Sequence, residues 1–250
     1  MSAIPVARVL DKLDEHLGRN DYAAAERHLN YWLAEAEALG DARGALAVCN
    51  ELVGLHRKCG REVPALHCAE TALRLAHECG LDGSITMGTT LINAATAYNA
   101  FGKPETALPL YAQAQKIYEA LLPPEDARRG ALYNNTALAA MAAGQYVRAR
   151  ELFDKAMDVM SRAARGAAEC AITCCNLADL TAAEQGTDAG EAEIFAHLDR
   201  AQELLDDPAL PHDGYYAFVC EKCAPTFGHY GYFMTEAELL SRAKEIYERV

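Results

Sequence analysis

The chain has 250 residues, 51% of them apolar, and its 36 acidic and 23 basic side chains give a formal net charge of −13. That apolar share excludes a disordered chain and supplies a substantial core, whereas the acidic excess repels phosphate backbones and anionic lipid, so neither nucleic acid nor membrane is an expected partner. Acidic residues interrupt the first 15 positions, no window approaches the roughly 18 apolar residues of a membrane span, and the nine cysteines are scattered through helical patterns, so the expected setting is a reducing cytoplasm without disulfides.

Ala and Leu are plentiful and strand-favouring residues sparse, so helices are expected throughout. The first covers about residues 6–17, and Asn20, Asp21 and Tyr22 followed by Ala25, Leu29 and Trp32 read as a turn and a second helix. Turn glycines then recur, with Gly60, Gly102 and Gly144 each 42 residues apart. Five, nine and twelve residues after them stand Ala65, Ala69 and Ala72; Ala107, Tyr111 and Ala114; and Ala149, Phe153 and Ala156, offsets that share one helical face. Asn176, Leu177 and Ala178 open a further unit whose turn at Gly186 is loosened by the insertion Thr187 to Gly190. Gly231, Leu240 and Ala243 repeat the spacing once more, with Glu236 in place of the small residue. Asp188 with Glu191 and Thr235 with Glu238 have capping-box spacing. Pro225 falls inside the first helix of the last pair and is expected to kink or restart it.

A single helix pair cannot bury both its faces, so this repeat implies stacked pairs. The expected units are roughly 6–40, 43–81, 84–122, 126–164, 166–206 and 213–250, within one domain spanning 1–250. The stretches NNTALAAMAAGQYVRARELFDKA (134–156) and INAATAYNAFGKPETALPLYAQA (92–114) carry a resemblance to the tetratricopeptide repeat (TPR) family, in its long-period variety of about 42 residues found in kinesin light chains and bacterial peptide-sensing regulators. The resemblance covers nearly the whole chain. It implies an all-α, right-handed superhelical solenoid of about six antiparallel helix pairs, and a general role in binding protein or peptide.

The resemblance further implies that side chains ten and nine residues before each turn glycine point into a concave groove. Here they are Asn50 and Glu51, Ile92 and Asn93, Asn134 and Asn135, and Glu221 and Lys222, with Asn176 equivalent in the irregular unit. An Asn carboxamide offers donors and an acceptor and so satisfies the backbone of an extended peptide of any sequence; alternatively, these amides bond the adjacent pair and set its stacking. Arg57 and Lys58, near the Gly60 turn, suit an acidic group of a ligand or complement a helix end, and Asn99 is their counterpart in the next unit. The candidate peptide-binding set is therefore Asn50, Arg57, Lys58, Asn93, Asn99, Asn134, Asn135 and Asn176.

Chemistry has no visible centre. Cys220, Cys223 and His229 form a C-x2-C-x5-H string, and Cys170, Cys174 and Cys175 a second cluster, but eleven residues before the turn glycines Cys49 and Cys220 share a phase with Leu91 and Tyr133, which reads as buried thiols rather than zinc ligands. No catalytic, metal or cofactor site is expected, and no enzyme. Tyr215, Tyr216, Phe218, Phe227, Tyr230, Tyr232 and Phe233 crowd the last unit, as a core plug sealing the array or as a homodimer surface. The expected function is a protein–protein interaction scaffold or adaptor that binds a peptide segment. The alternatives are a peptide-sensing regulator that changes shape on binding a short signalling peptide, and a self-associating assembly subunit.

Overall fold

The positive backbone φ that ends each first helix explains the turn glycines. Gly60, Gly102, Gly144, Gly186 and Gly231 all lie at φ between 67° and 88°, a region that costs other L-residues steric strain. At the first of these turns the Gly60 amide donates to the Arg57 carbonyl (3.1 Å) and the Arg61 amide to the His56 carbonyl (2.9 Å), which satisfies the last carbonyls of the helix. Asn20 takes the same role at the amino end with φ 54°, a conformation that Asn tolerates better than most residues.

The computed structural model describes residues 3–163 and 166–249. Ala164, at the end of the fourth expected unit, and the domain termini Met1 and Val250 lie outside the described residues. Twelve helices and no strand occur among the described residues, and they pair in order. The pairs are α1 (Val6–Gly18) with α2 (Tyr22–Leu39), α3 (Ala42–Lys58) with α4 (Glu62–Glu78), α5 (Ile85–Ala100) with α6 (Pro104–Leu121), α7 (Ala127–Ala142) with α8 (Tyr146–Met160), α9 (Gly166–Gln185) with α10 (Glu191–Leu205), and α11 (Gly214–His229) with α12 (Phe233–Tyr247). The chain is all-α, as its repeat spacing implies, and no described helix is long and apolar enough to cross a membrane.

Residues up to Leu121 form one compact unit and those from Leu122 another, each holding three hairpins. Within each unit the first helices lie side by side: α3 packs on α1 and α5, and α9 packs on α7 and α11. The second helix of one hairpin also packs on the first helix of the next, as α2 does on α3, α4 on α5 and α8 on α9. Arg150 ties α8 to its neighbours by pairing with Glu184 of α9 (2.9 Å) and Glu193 of α10 (2.8 Å).

The apolar offsets form the core. Ala65, Ala69, Ala107, Ala149, Phe153 and Ala156 have no exposed surface, and Tyr111 only 1%. Bulk on the second helix is matched by a gap on the first: a methyl group on Gly88 would meet the Tyr118 ring at 2.6 Å, and one on Gly130 would meet the Met160 side chain at 2.8 Å. The replacement of a small residue by Glu236 has the same explanation, because its carboxylate lies over Gly228 of α11, in space that a methyl group there would occupy.

Three local expectations are corrected. α10 starts after Gly190 without a side-chain cap, so Asp188 and Glu191 form no capping box. α12 starts two residues before Thr235, whose hydroxyl instead donates to Gln202 at 3.3 Å. α11 runs through Pro225 without restarting: Pro225 is exposed, so the carbonyl that loses its partner four residues earlier, on exposed Glu221, is within reach of water. The effective caps are Asp21, Asp41, Ser84, Asp126 and Asp213, each accepting a hydrogen bond from a first-turn amide.

Candidate peptide-binding site

The asparagines expected to line a groove lie on first helices, and several bond one another across neighbouring hairpins. In the amino-terminal unit, Asn93 Nδ2 of α5 donates to Asn50 Oδ1 of α3 at 3.0 Å. Asn50 Nδ2 donates in turn to Thr90 Oγ1 of α5 and to the Leu46 carbonyl, both at 3.2 Å. The carboxyl-terminal unit repeats the arrangement: Asn176 Nδ2 and Thr173 Oγ1 of α9 donate to Asn134 Oδ1 of α7 at 3.1 and 3.2 Å. Asn134 is only 6% exposed, so without these bonds its carboxamide would sit desolvated and unpaired. Asn50 and Asn134 thus hold adjacent hairpins in register; Asn134 is buried, whereas Asn50, Asn93, Asn135 and Asn176 are all half-buried.

Arg57 and Lys58 are exposed near the end of α3. Lys58 Nζ lies 5.1 Å from the centre of the Tyr22 ring, a cation–π arrangement. The field of Arg57 reaches Tyr111, whose phenol is pushed up to about 12 by burial, against the opposing effects of its hydrogen bond with Thr96 and of Arg57. Asn99, half-buried in the same unit, has a buried Oδ1 without a hydrogen-bond partner.

Two carboxylates in the first-helix layer were not singled out from the sequence. Burial raises the Glu169 pKa, with Lys222 opposing, and burial likewise raises that of Asp179, against a hydrogen bond from Tyr230 and the nearby His229. Tyr230 Oη donates to Asp179 Oδ1 at 3.0 Å, joining α11 to α9. The signal for Asp179 was its phase: seven residues before the turn glycine, the other units carry Val53, Ala95, Ala137 and Ala224, all buried. Glu51, beside Asn50, is also raised by burial and by the negative field of Asp14.

The cysteines behave as core residues. Cys170, Cys174, Cys175, Cys220 and Cys223 are each at most 3% exposed, and the last four pack into one apolar cluster of α9, α10, α11 and α12. Burial pushes the thiols of Cys170 and Cys220 up to about 11 and that of Cys174 up to about 12, the opposite of what a thiolate nucleophile requires. Among the described residues no group of three or more His, Cys, Asp or Glu side chains could hold a metal ion. The aromatic cluster divides: Tyr216 and Phe227 are buried, while Phe218 and Phe233 are 48% and 69% exposed.

No family model and no curated protein sequence matches the chain. Solved structures do. BtubC (BKLC) from P. vanneervenii is similar over 80% of this chain and 79% of its own, with 24% identity and a TM-score of 0.67. The nearly identical TPR-like repeats of a Podosopora anserina protein assigned as a kinesin light chain align over 82% of this chain and 95% of theirs, with 19% identity and a TM-score of 0.56. A Rap protein complexed with competence and sporulation factor aligns over 95% of this chain and 73% of its own, with 14% identity and a TM-score of 0.52. The class is therefore an all-α helical repeat protein. More specifically, its repeats have the TPR-type fold.

Proposed function

We propose that this chain is an interaction scaffold or adaptor that holds a peptide segment of a partner protein on the first helices of its hairpins. The carrying observation is the cross-hairpin amide pairing: Asn50 with Asn93 and Asn134 with Asn176 fix donor–acceptor side chains between neighbouring first helices in each unit. Asn93, Asn135 and Asn176 meet the peptide backbone, because a carboxamide held by one hydrogen bond has further donor and acceptor capacity. Arg57 and Lys58 meet an acidic group, and half-buried Asn99 completes the candidate set. The Rap complex supports the reading by analogy, as the same fold with a bound factor. Replacing Asn93 and Asn135 together by Ala should keep helicity, measured by circular dichroism, and reduce capture of the native partner about tenfold or more. Undiminished capture would overturn the assignment.

A second reading, self-association, is favoured by α12. Nine and sixteen residues after the turn glycine, inner hairpins bury Tyr111, Phe153, Tyr118 and Met160 to 3% exposure or less, whereas Leu240 and Tyr247 are 45% and 46% exposed. A homodimer through this end predicts a concentration-dependent mass that is lost in Phe233→Ser/Leu240→Ser; a mass that stays monomeric at every concentration rejects it.

A further inference from the structure

The insertion after Gly186 leaves a notch between α10 and α11. This cavity of about 210 Å³ is lined by Thr187, Glu191, Ile194, Phe195, His229 and Tyr230. Its floor is Ile194, 1% exposed, and Phe195 forms a wall that is 37% exposed. Both aromatic walls are braced from behind. Phe195 meets Tyr232 edge-on with centroids 5.6 Å apart, while Tyr230 is held by its bond to Asp179 and by the edge-on ring of His229 at 4.7 Å.

Apart from the His229 imidazole, the ionic groups around the notch are carboxylates. Glu191 lines it, exposed Asp188 sits in the adjoining turn, and Asp179 lies behind Tyr230. No Lys or Arg lines it, and the nearby guanidinium, Arg150, is already paired with Glu184 and Glu193. The amino end of α10 would itself favour an anion, but Glu191 and Glu193 in its first turn oppose that partial charge. Aromatic faces beside a carboxylate, in a chain of net charge −13, attract cations.

We propose that this notch is a binding site for an alkylammonium or guanidinium group, with Phe195 and Tyr230 against the cation and its alkyl stem and Glu191 as counter-ion. The group arrives as a lysine or arginine side chain of a bound polypeptide or as a small basic molecule; only the first source depends on the scaffold reading.

The test is a nuclear magnetic resonance titration of the intact chain, following the side-chain signals of Phe195, Tyr230 and His229. Probes are N-acetyl-lysine amide, N-acetyl-arginine amide, the neutral isostere N-acetyl-norleucine amide, and a capped Ala3-Lys-Ala3 peptide. Saturable shifts are expected with the cations, about tenfold weaker with norleucine, and weakened at least about fivefold by Glu191→Gln and by Phe195→Ala. Glu191 is exposed, so its substitution separates loss of binding from loss of folding. Tighter binding of the peptide than of the single amide assigns a polypeptide source, and equal binding a small amine; both support the site. Absence of saturation, equal binding of norleucine, or indifference to both substitutions overturns it. The Asn93/Asn135 alanine pair should leave these shifts unchanged, so the two readings fail separately.

Discussion

The hairpins α5–α6 and α7–α8 and the final hairpin α11–α12 satisfy the same packing requirement with different residues. In the inner two, a bulky side chain sixteen residues after the turn, Tyr118 or Met160, fills the place left by a glycine on the first helix, Gly88 or Gly130. Hairpin α3–α4 reverses the sizes, with Leu46 in the glycine's phase and Ala76 in the bulky one, both buried. In the final hairpin the exchange occurs about three helical turns nearer the hairpin turn, where Gly228 makes room for Glu236. What repeats is the summed volume across a hairpin rather than the residue at either position, as close-packed interiors require. The final hairpin also differs in leaving Leu240 and Tyr247 substantially exposed at phases that are buried in the inner ones.

The largest test of that contrast compares two residues of one phase. Phe153→Ala should cost about 3–5 kcal/mol in chemical unfolding, and Leu240→Ala less than about 1 kcal/mol; equal costs would mean that the terminal face is as enclosed as an inner one. Next is the volume exchange itself. Gly88→Leu should destabilise by about 1–3 kcal/mol through overpacking against Tyr118, and adding Tyr118→Ala, which copies the Leu46 and Ala76 arrangement, should recover most of the loss. No recovery would show that the two positions are independent. Smaller again, Asn134→Ala should cost about 1 kcal/mol by removing the acceptor shared by Thr173 and Asn176, while half-buried Asn135→Ala should cost a few tenths at most, both read by urea unfolding.

The smallest effect is pH-dependent. Burial raises the Glu169 pKa in the folded state, so the folded chain binds this proton more readily than the unfolded one. That contribution to stability is therefore present at low pH and lost as pH rises through the raised folded value. Glu169→Gln should raise Tm by about 1–2 °C at neutral pH and change it little below the ordinary carboxylate range. An identical shift at both pH values would assign the effect to packing instead of charge.

Much of the fold was legible because its signals are local. Gly60, Gly102 and Gly144 mark turns that need a left-handed residue, and the small and bulky offsets after them follow one helical face. The caps were less legible: Asp188 and Thr235 have the right spacing, but a four-residue turn and an earlier helix start place the boundaries elsewhere. Pro225 carries the steric signal of a break, yet the helix continues because the lost hydrogen bond falls on an exposed face. At the candidate site the phase of the asparagines was readable, whereas the partner of each amide was not.

The sequence alone determined where helices pair and turn, because turn geometry and amphipathic periodicity act over a few residues, and from these it determined the TPR-type repeat. Tertiary structure decided which amides are committed to stacking, why Glu236 is tolerated beside Gly228, and that Phe195 and Tyr230 wall one notch. The amide pairing and the bracing of the notch depend on side chains brought together from 39 and 51 residues apart, as in Thr173 with Asn134 and Tyr230 with Asp179, and local propensity carries no information about such distances.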